Sequence, residues 1–285
     1  MVKIIRKTDI LYEDDAMLVC VKPAGIPSQS ERGAQDMVKL VKVYLAKEQR
    51  RMPPEGRSER EPYLAIINRL DQPVEGLLLF AKTKESGAKL SSMLQRDAIT
   101  KRYLTVIKGV PEAKVPGEIS ALQELSWTTL EHDLAIDHRT NLVKVLKADA
   151  EGHDAGLAQS DVKHAVLHYR LLAGRRDDTA EQGIGSRLCE ALAEVELVTG
   201  RHHQIRAQMA EEFEGIVGDR KYGRKCGQEP GGEDADSGDA AAGLALASWR
   251  LILNHPLTGK KLDLRWIPED GAFAEYRRIL AGLER

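Results

Sequence analysis

Cysteine is scarce in this chain, and charge of either sign is not in excess. Cys20, Cys189 and Cys226 are far apart and odd in number, and no C-x-x-C metal spacing occurs. Cys20 lies in an apolar run and reads as a small core residue. Lys+Arg 42 nearly cancels Asp+Glu 44, for a formal charge of −2. That balance argues against nucleic-acid binding through bulk charge. It leaves room for a local basic cleft, because distribution matters more than the sum. No stretch approaches the ~20 apolar residues of a membrane helix, and the opening MVKIIRKTDI has no long apolar segment. Neither a membrane span nor a signal peptide is expected; the expected setting is a reducing cytoplasm and the expected state a monomer.

Several chemistries lack their signatures. His202 and His203 are adjacent, and neighbours on a helix do not face each other. No H-E-x-x-H or carboxylate cluster supports them, so no metal is expected. No G-x-x-x-x-G-K-[ST] or G-x-G-x-x-G loop follows a strand, so no nucleotide cofactor is expected. No G-x-S-x-G elbow is present for Ser-His-Asp catalysis. A glycosidase would need two facing carboxylates; Asp71 with Glu75 is a conceivable pair, but nothing independent marks Glu75.

With 285 residues the chain can bury a sizeable core. Strands are predicted at 10–12 and 17–21 around the turn Glu13-Asp14-Asp15, and Pro23 to Pro27 form a rigid loop. An amphipathic helix is predicted over 36–47, then a mobile charged loop to Pro62, and a second helix over 84–97. Further strands are predicted at 103–107, 165–172, 191–198, 244–253 and 261–264, with hairpin-like excursions in 122–147. The alternation in 191–198 puts Glu194 and Glu196 on one face. Polar segments at 149–163 and 175–186 read as an exposed turn and an insertion. Residues 224–243 are small, acidic and glycine-rich and read as a disordered surface insertion. A closing amphipathic helix carries Phe273, Tyr276, Ile279, Leu280 and Leu283. Strands interleaved with few helices predict an α+β fold, a mixed, largely antiparallel central sheet with flanking helices, in one domain.

The informative stretch is Tyr63 to Thr83. A short apolar approach leads into Asn68-Arg69-Leu70-Asp71, then a turn with Pro73 and Gly76, then the apolar run Leu77 to Ala81. Asp71 and Arg69 therefore sit on a loop anchored at both ends by core structure, as catalytic groups often do. The residue types alone equally allow Asp71 to cap a turn and Arg69 to be a solvated charge. A loop carboxylate can act as a nucleophile at a sugar carbon, an arginine beside it keeps it ionised, and an aromatic can stack on a flat base.

Five motifs in order resemble the RluA-type family of RNA pseudouridine synthases: Val21 to Gly25; Asn68 to Asp71 with Gly76 to Thr83; Lys101-Arg102-Tyr103; Leu197 to Arg206 with Gly218 to Gly223; and Leu251 to Pro256. The resemblance implies a pseudouridine synthase fold with a catalytic cleft. It implies isomerisation of uridines in tRNA or rRNA: the C1′–N1 bond breaks, the base turns and C5 joins C1′, with no cofactor. By resemblance, Asp71 attacks the uridine, Tyr103 stacks on the uracil, Arg206 pairs with Asp71, and Ile205 packs beside the base. Arg69 would fill the place of the flipped nucleotide, and Lys22, Arg201, His203 and Gln204 would lie near the RNA or support the cleft. The target must leave its stack, which favours loops and bulges.

The chain departs from the family pattern at Asn68, where His is usual, at Gln72 to Glu75, and at His202, where Thr is usual. The motifs start almost at Met1, so no accessory S4 RNA-binding domain is expected and target selection is expected from the catalytic domain. The alternative is a catalytically silent RNA-binding protein of the same fold, whose expected signature is loss of Asp71.

Overall fold

The computed structural model describes residues 9–30, 33–51, 61–115, 125–146, 161–176, 188–223 and 243–283. They group into two compact units, residues 1–101 with 247–266 and residues 102–246 with 267–285. The polar segment 149–160, most of the 175–186 insertion and residues 224–242 of the acidic stretch lie outside the described residues.

In the first unit, strands β1 (Ile10–Glu13), β2 (Met17–Lys22), β3 (Ala65–Ile66) and β4 (Glu75–Ala81) join β11 (Leu246–Asn254) and β12 (Lys261–Arg265), numbered in chain order. The order is β1-β2-β4-β11, with β3 on β4 and β12 on β11. Every pairing is antiparallel except β4 with β11, which is parallel. Met17, Val19, Leu77, Leu79, Leu251 and Leu253 share one core face, closed by Leu90 of helix α2 (Lys84–Gln95). Helix α1 (Met37–Arg51) starts at Asp36, whose Oδ1 accepts from Lys39 N at 2.8 Å. It runs past Lys47 to Arg51 and shortens the loop read there; the i,i+3 ion pair of Glu48 with Arg51 spans this last turn. Thr83 and Ser86 form a capping box on α2, worth about 1 kcal/mol.

The second unit holds β5 (Thr100–Pro111), β6 (Thr128–Asp137), β7 (Leu142–Leu146), β8 (Val162–Arg176), β9 (Leu188–Leu197) and β10 (Gly215–Ile216). The order is β5-β9-β8-β6-β7, with β10 on β5. β6 and β7 form the expected hairpin. Glu194 and Glu196 do share a face, but Glu194 is completely buried. Arg170 (2.6 Å) and Arg102 (3.5 Å) neutralise it, and Trp127 lies against both guanidiniums. Helix α3 (Gln204–Glu212) follows β9. The closing helix differs from expectation: 271–276 form a 3₁₀ helix, and only α4 (Arg277–Leu283) is α-helical. Phe273 and Tyr276 are both buried at a spacing of three, which the tighter helix brings onto one face.

The fold class is thus mixed α+β, mostly antiparallel, as the element order predicts. Gly76 makes the parallel β4–β11 pairing feasible. Its φ is +113°, and a Cβ there would lie 2.1 Å from the Ser248 carbonyl oxygen. Gly76→Ala combines left-handed strain with a clash against buried backbone and is expected to cost about 3 kcal/mol or more in urea unfolding. Gly259→Ala, at φ +73° in open space, is the control and should cost only about 1 kcal/mol.

Candidate active site

The Asp71 loop is held at every second residue. The Asn68 side chain closes its entry, with Oδ1 accepting from Leu79 N (2.7 Å) and Nδ2 donating to Leu77 O (3.2 Å). At position 70, Ser28 Oγ donates to Leu70 O (2.7 Å) and accepts from Leu70 N (2.9 Å). At position 72, the carbonyl of Gln72 accepts from Lys22 Nζ (2.9 Å) and from Gly25 N (2.8 Å). Val74 N then turns back onto Asp71 O (3.1 Å). These bonds fix the backbone on both sides of Arg69 and Asp71. Arg69 is exposed and Asp71 half-buried. Among the described residues the Arg69 side chain makes no hydrogen bond or ion pair.

Lys22 is completely buried, and its ammonium donates to Pro23 O (3.0 Å), Ile26 O (2.6 Å) and Gln72 O (2.9 Å). Three carbonyls use all three of its N–H donors. Its place is therefore under the loop: of the two expected roles, geometry fits support and not contact with RNA. The rigid Pro23–Pro27 loop is the matching cradle, since Gly25 gives its N–H to Gln72 O and its carbonyl to Gln72 Nε2 (3.1 Å). Lys101 opens the strand that carries Tyr103. Loss of solvent pulls its amine below the usual lysine range, against the opposing pull of Asp97.

The remaining candidates belong to the second unit. Tyr103 is buried in β5. The others gather at the start of α3, where β9 has ended at Leu197 and His203 adopts a left-handed backbone, φ +49°. Gln204 is buried. Its Oε1 accepts from Arg201 N (2.9 Å) and Thr199 Oγ1 (2.8 Å), and its Nε2 donates to Val166 O (3.1 Å), so it staples the turn to β8. His203 is buried as well, with Nδ1 bonded to Tyr222 Oη at 2.7 Å. Neighbouring imidazoles on a helix would point apart. Because His203 lies just outside α3, the His202 and His203 rings instead stack at 3.8 Å. Ile205 is buried, and Arg201 is exposed with Nε bonded to His164 O (2.9 Å).

Arg206 is buried and forms a two-pronged pair with Asp219: Nε to Oδ2 and Nη2 to Oδ1, both 2.7 Å. Its guanidinium also lies 5.0 Å from the Tyr222 ring centre. Asp219 Oδ1 accepts from Lys221 N (2.9 Å) and Tyr222 N (3.2 Å), which shapes the glycine-bounded turn. Sequence reasoning names Arg206 as a partner for Asp71 and misses Asp219, Ser28 and the structural use of Asn68. Only Asp219 had a signal, its place in the Gly218–Gly223 motif.

A model of the RNA pseudouridylate synthase family matches residues 16–211. The chain belongs to that family. It is 31% identical over 233 residues to a protein named ribosomal large subunit pseudouridine synthase D from Xylella fastidiosa, covering 80% of this chain and 55% of the relative. It is 29% identical over 268 residues to the protein of the same name from Pseudomonas aeruginosa, covering 92% and 69%. The chain thus spans between about half and two thirds of the length of these relatives. Among solved structures, human RNA pseudouridylate synthase domain containing 4 superposes with a TM-score of 0.64 at 20% identity, over 96% of this chain and 93% of the other. That likeness is one of fold.

Ser28→Ala removes the partner of two buried backbone groups and should cost about 1–3 kcal/mol. Hydrogen exchange at the Leu70 amide is expected to accelerate with it; unchanged protection would show that the hydroxyl does not hold the loop.

Proposed function

We propose that this protein isomerises uridine to pseudouridine in RNA, with Asp71 as the reacting carboxylate. The observation that carries the reading is the Asp71 loop: hydrogen bonds at 68, 70 and 72 fix it around a half-buried carboxylate. Catalysis rewards a group held in place before the substrate arrives, because the ordering is not repeated at each turnover. Family membership supplies the reaction class, and the names of the relatives make large-subunit ribosomal RNA the first substrate to test, ahead of tRNA.

In this reading Tyr103 stacks on the uracil, Arg206 keeps the carboxylate ionised, and Ile205 packs beside the base. Arg69, exposed and next to Asp71, reaches into the RNA stack, and Arg201 meets the RNA backbone. Lys22, His203 and Gln204 hold the two loops from beneath. The Asp219 pair fixes the Arg206 guanidinium by two hydrogen bonds, an arrangement lysine cannot reproduce. The chain's own groups cover the proton and carboxylate chemistry of the isomerisation.

Tritium release from [5-³H]uridine-labelled ribosomal RNA tests the reading. Wild-type protein is expected to release tritium, and Asp71→Ala to fold normally with no detectable turnover. Substantial release by that variant would remove Asp71 from the mechanism. No release from any ribosomal or transfer RNA by the wild type would leave a silent RNA binder. Tyr103→Phe keeps the ring and loses the hydroxyl, so RNA binding should persist while turnover slows by roughly 10²–10⁴-fold, the usual weight of a positioned proton-transfer group. Equal losses in binding and rate would assign the hydroxyl to binding.

A further inference from the structure

Glu194 is completely buried in β9, yet a buried ion pair is weak support for stability: apolar groups of similar size often do as well or better. Its partners come from the two strands beside it. Arg170 of β8 holds Oε2, with Nε at 2.8 Å and Nη2 at 2.6 Å. Arg102 of β5 spans both acids of β9: Nη1 lies 3.5 Å from Glu194 Oε1, and Nε donates to Glu196 Oε2 at 2.7 Å. Trp127, one residue ahead of β6, lies against both guanidiniums, its ring centre 5.3 Å from that of Arg102 and 4.7 Å from that of Arg170. The cluster thus ties β5, β9 and β8 on one face, in the order in which they pair.

What such a cluster fixes is register. Side chains alternate along a strand, so a slip of one residue between β5 and β9 would carry Arg102 to the other face and separate it from Glu194. By the same alternation, Tyr103, the next residue of β5, stands on the opposite face, where it is buried. Strand β9 ends at Leu197, and the chain then passes through Thr199 and Gly200 into α3, which opens with Gln204, Ile205 and Arg206. Arg102 therefore clamps the strand that bears Tyr103 to the strand that leads to Arg206.

We infer that Arg102 is a positioning residue: its reach across Glu194 and Glu196 holds β5 on β9 in the register that sets the Tyr103 hydroxyl for proton transfer. The inference rests on the isomerase reading above and deepens it. Arg102 acts through Tyr103, from the other face of the sheet, and not on the RNA. Arginine is needed for the reach. A guanidinium presents donors in a fixed plane to two acceptors at once, whereas lysine keeps the charge beside Glu194 and loses the fork.

Two measurements test this in Arg102→Lys, Tyr103→Phe and the double variant: single-turnover tritium release from [5-³H]uridine-labelled ribosomal RNA with protein in excess, and fluorescence anisotropy of the same RNA carrying a fluorescein label. Arg102→Lys is expected to slow release about tenfold while RNA affinity stays within about twofold, as for a misplaced group and not a lost contact. In the Tyr103→Phe background, which has no hydroxyl to place, the same change should slow release by less than about twofold. A role in stability alone predicts equal factors in both backgrounds, and that result would overturn the inference. So would a wild-type rate for Arg102→Lys, or equal losses of affinity and rate. Should Arg102→Lys not fold, Glu196→Gln removes the charge from the 2.7 Å tie at a partly exposed residue, and the same comparison of backgrounds decides. Wild-type protein that releases tritium, beside equal factors, retires the clamp alone. Wild-type protein that releases none from any ribosomal or transfer RNA retires the isomerase reading and the positioning role with it.

Discussion

The buried ammonium of Lys22 is the interaction on which the first unit's loop depends. A cation with no access to water is tolerable only where its donors are all met, and here three backbone carbonyls meet them. Removing any of them would leave a charge in an apolar setting, so the Pro23–Ile26 turn and Gln72 are locked to each other. Ser28 and Asn68 extend the same principle by satisfying buried backbone groups on either side. These bonds fix the backbone on both sides of Asp71.

The second unit solves a similar problem with a salt bridge. Arg206 and Asp219 are both buried, which would be costly for either alone. The pair is saved by two-point geometry, by two further amides on Asp219 and by the Tyr222 ring. Tyr222 then bonds His203, and His203 starts α3. One guanidinium, one carboxylate and one phenol thus set the position of a helix start and of two turns.

Much of this was legible because its signals are local. The β1–β2 turn, the start of α1 near Asp36 and the β11–β12 hairpin all lie within a few residues of the signal that announces them. The Asp71 loop was legible for the same reason: apolar runs on both sides bound it. What escaped was set by distance. Ser28 meets Leu70 across 42 residues and Arg206 meets Asp219 across 13, and no periodicity encodes such pairs. By resemblance Lys22, His203 and Gln204 lie near the RNA or support the cleft; a charged or amide group is normally wet, and all three are buried by partners that no local pattern announces. Glu194 reads as one face of an alternating strand, yet Arg102 and Arg170 seal it inside. The adjacent histidines were read with helical geometry, and the left-handed backbone of His203 removed that premise.

Full engagement of the Lys22 amine has a chemical side. An amine whose donors are all taken and which no solvent reaches cannot attack an acylating reagent, whereas the surface lysines of the same chain can. Lys22 is therefore a built-in clock for opening of the segment that bears Asp71: the rate at which it becomes modified measures how often that segment lifts away.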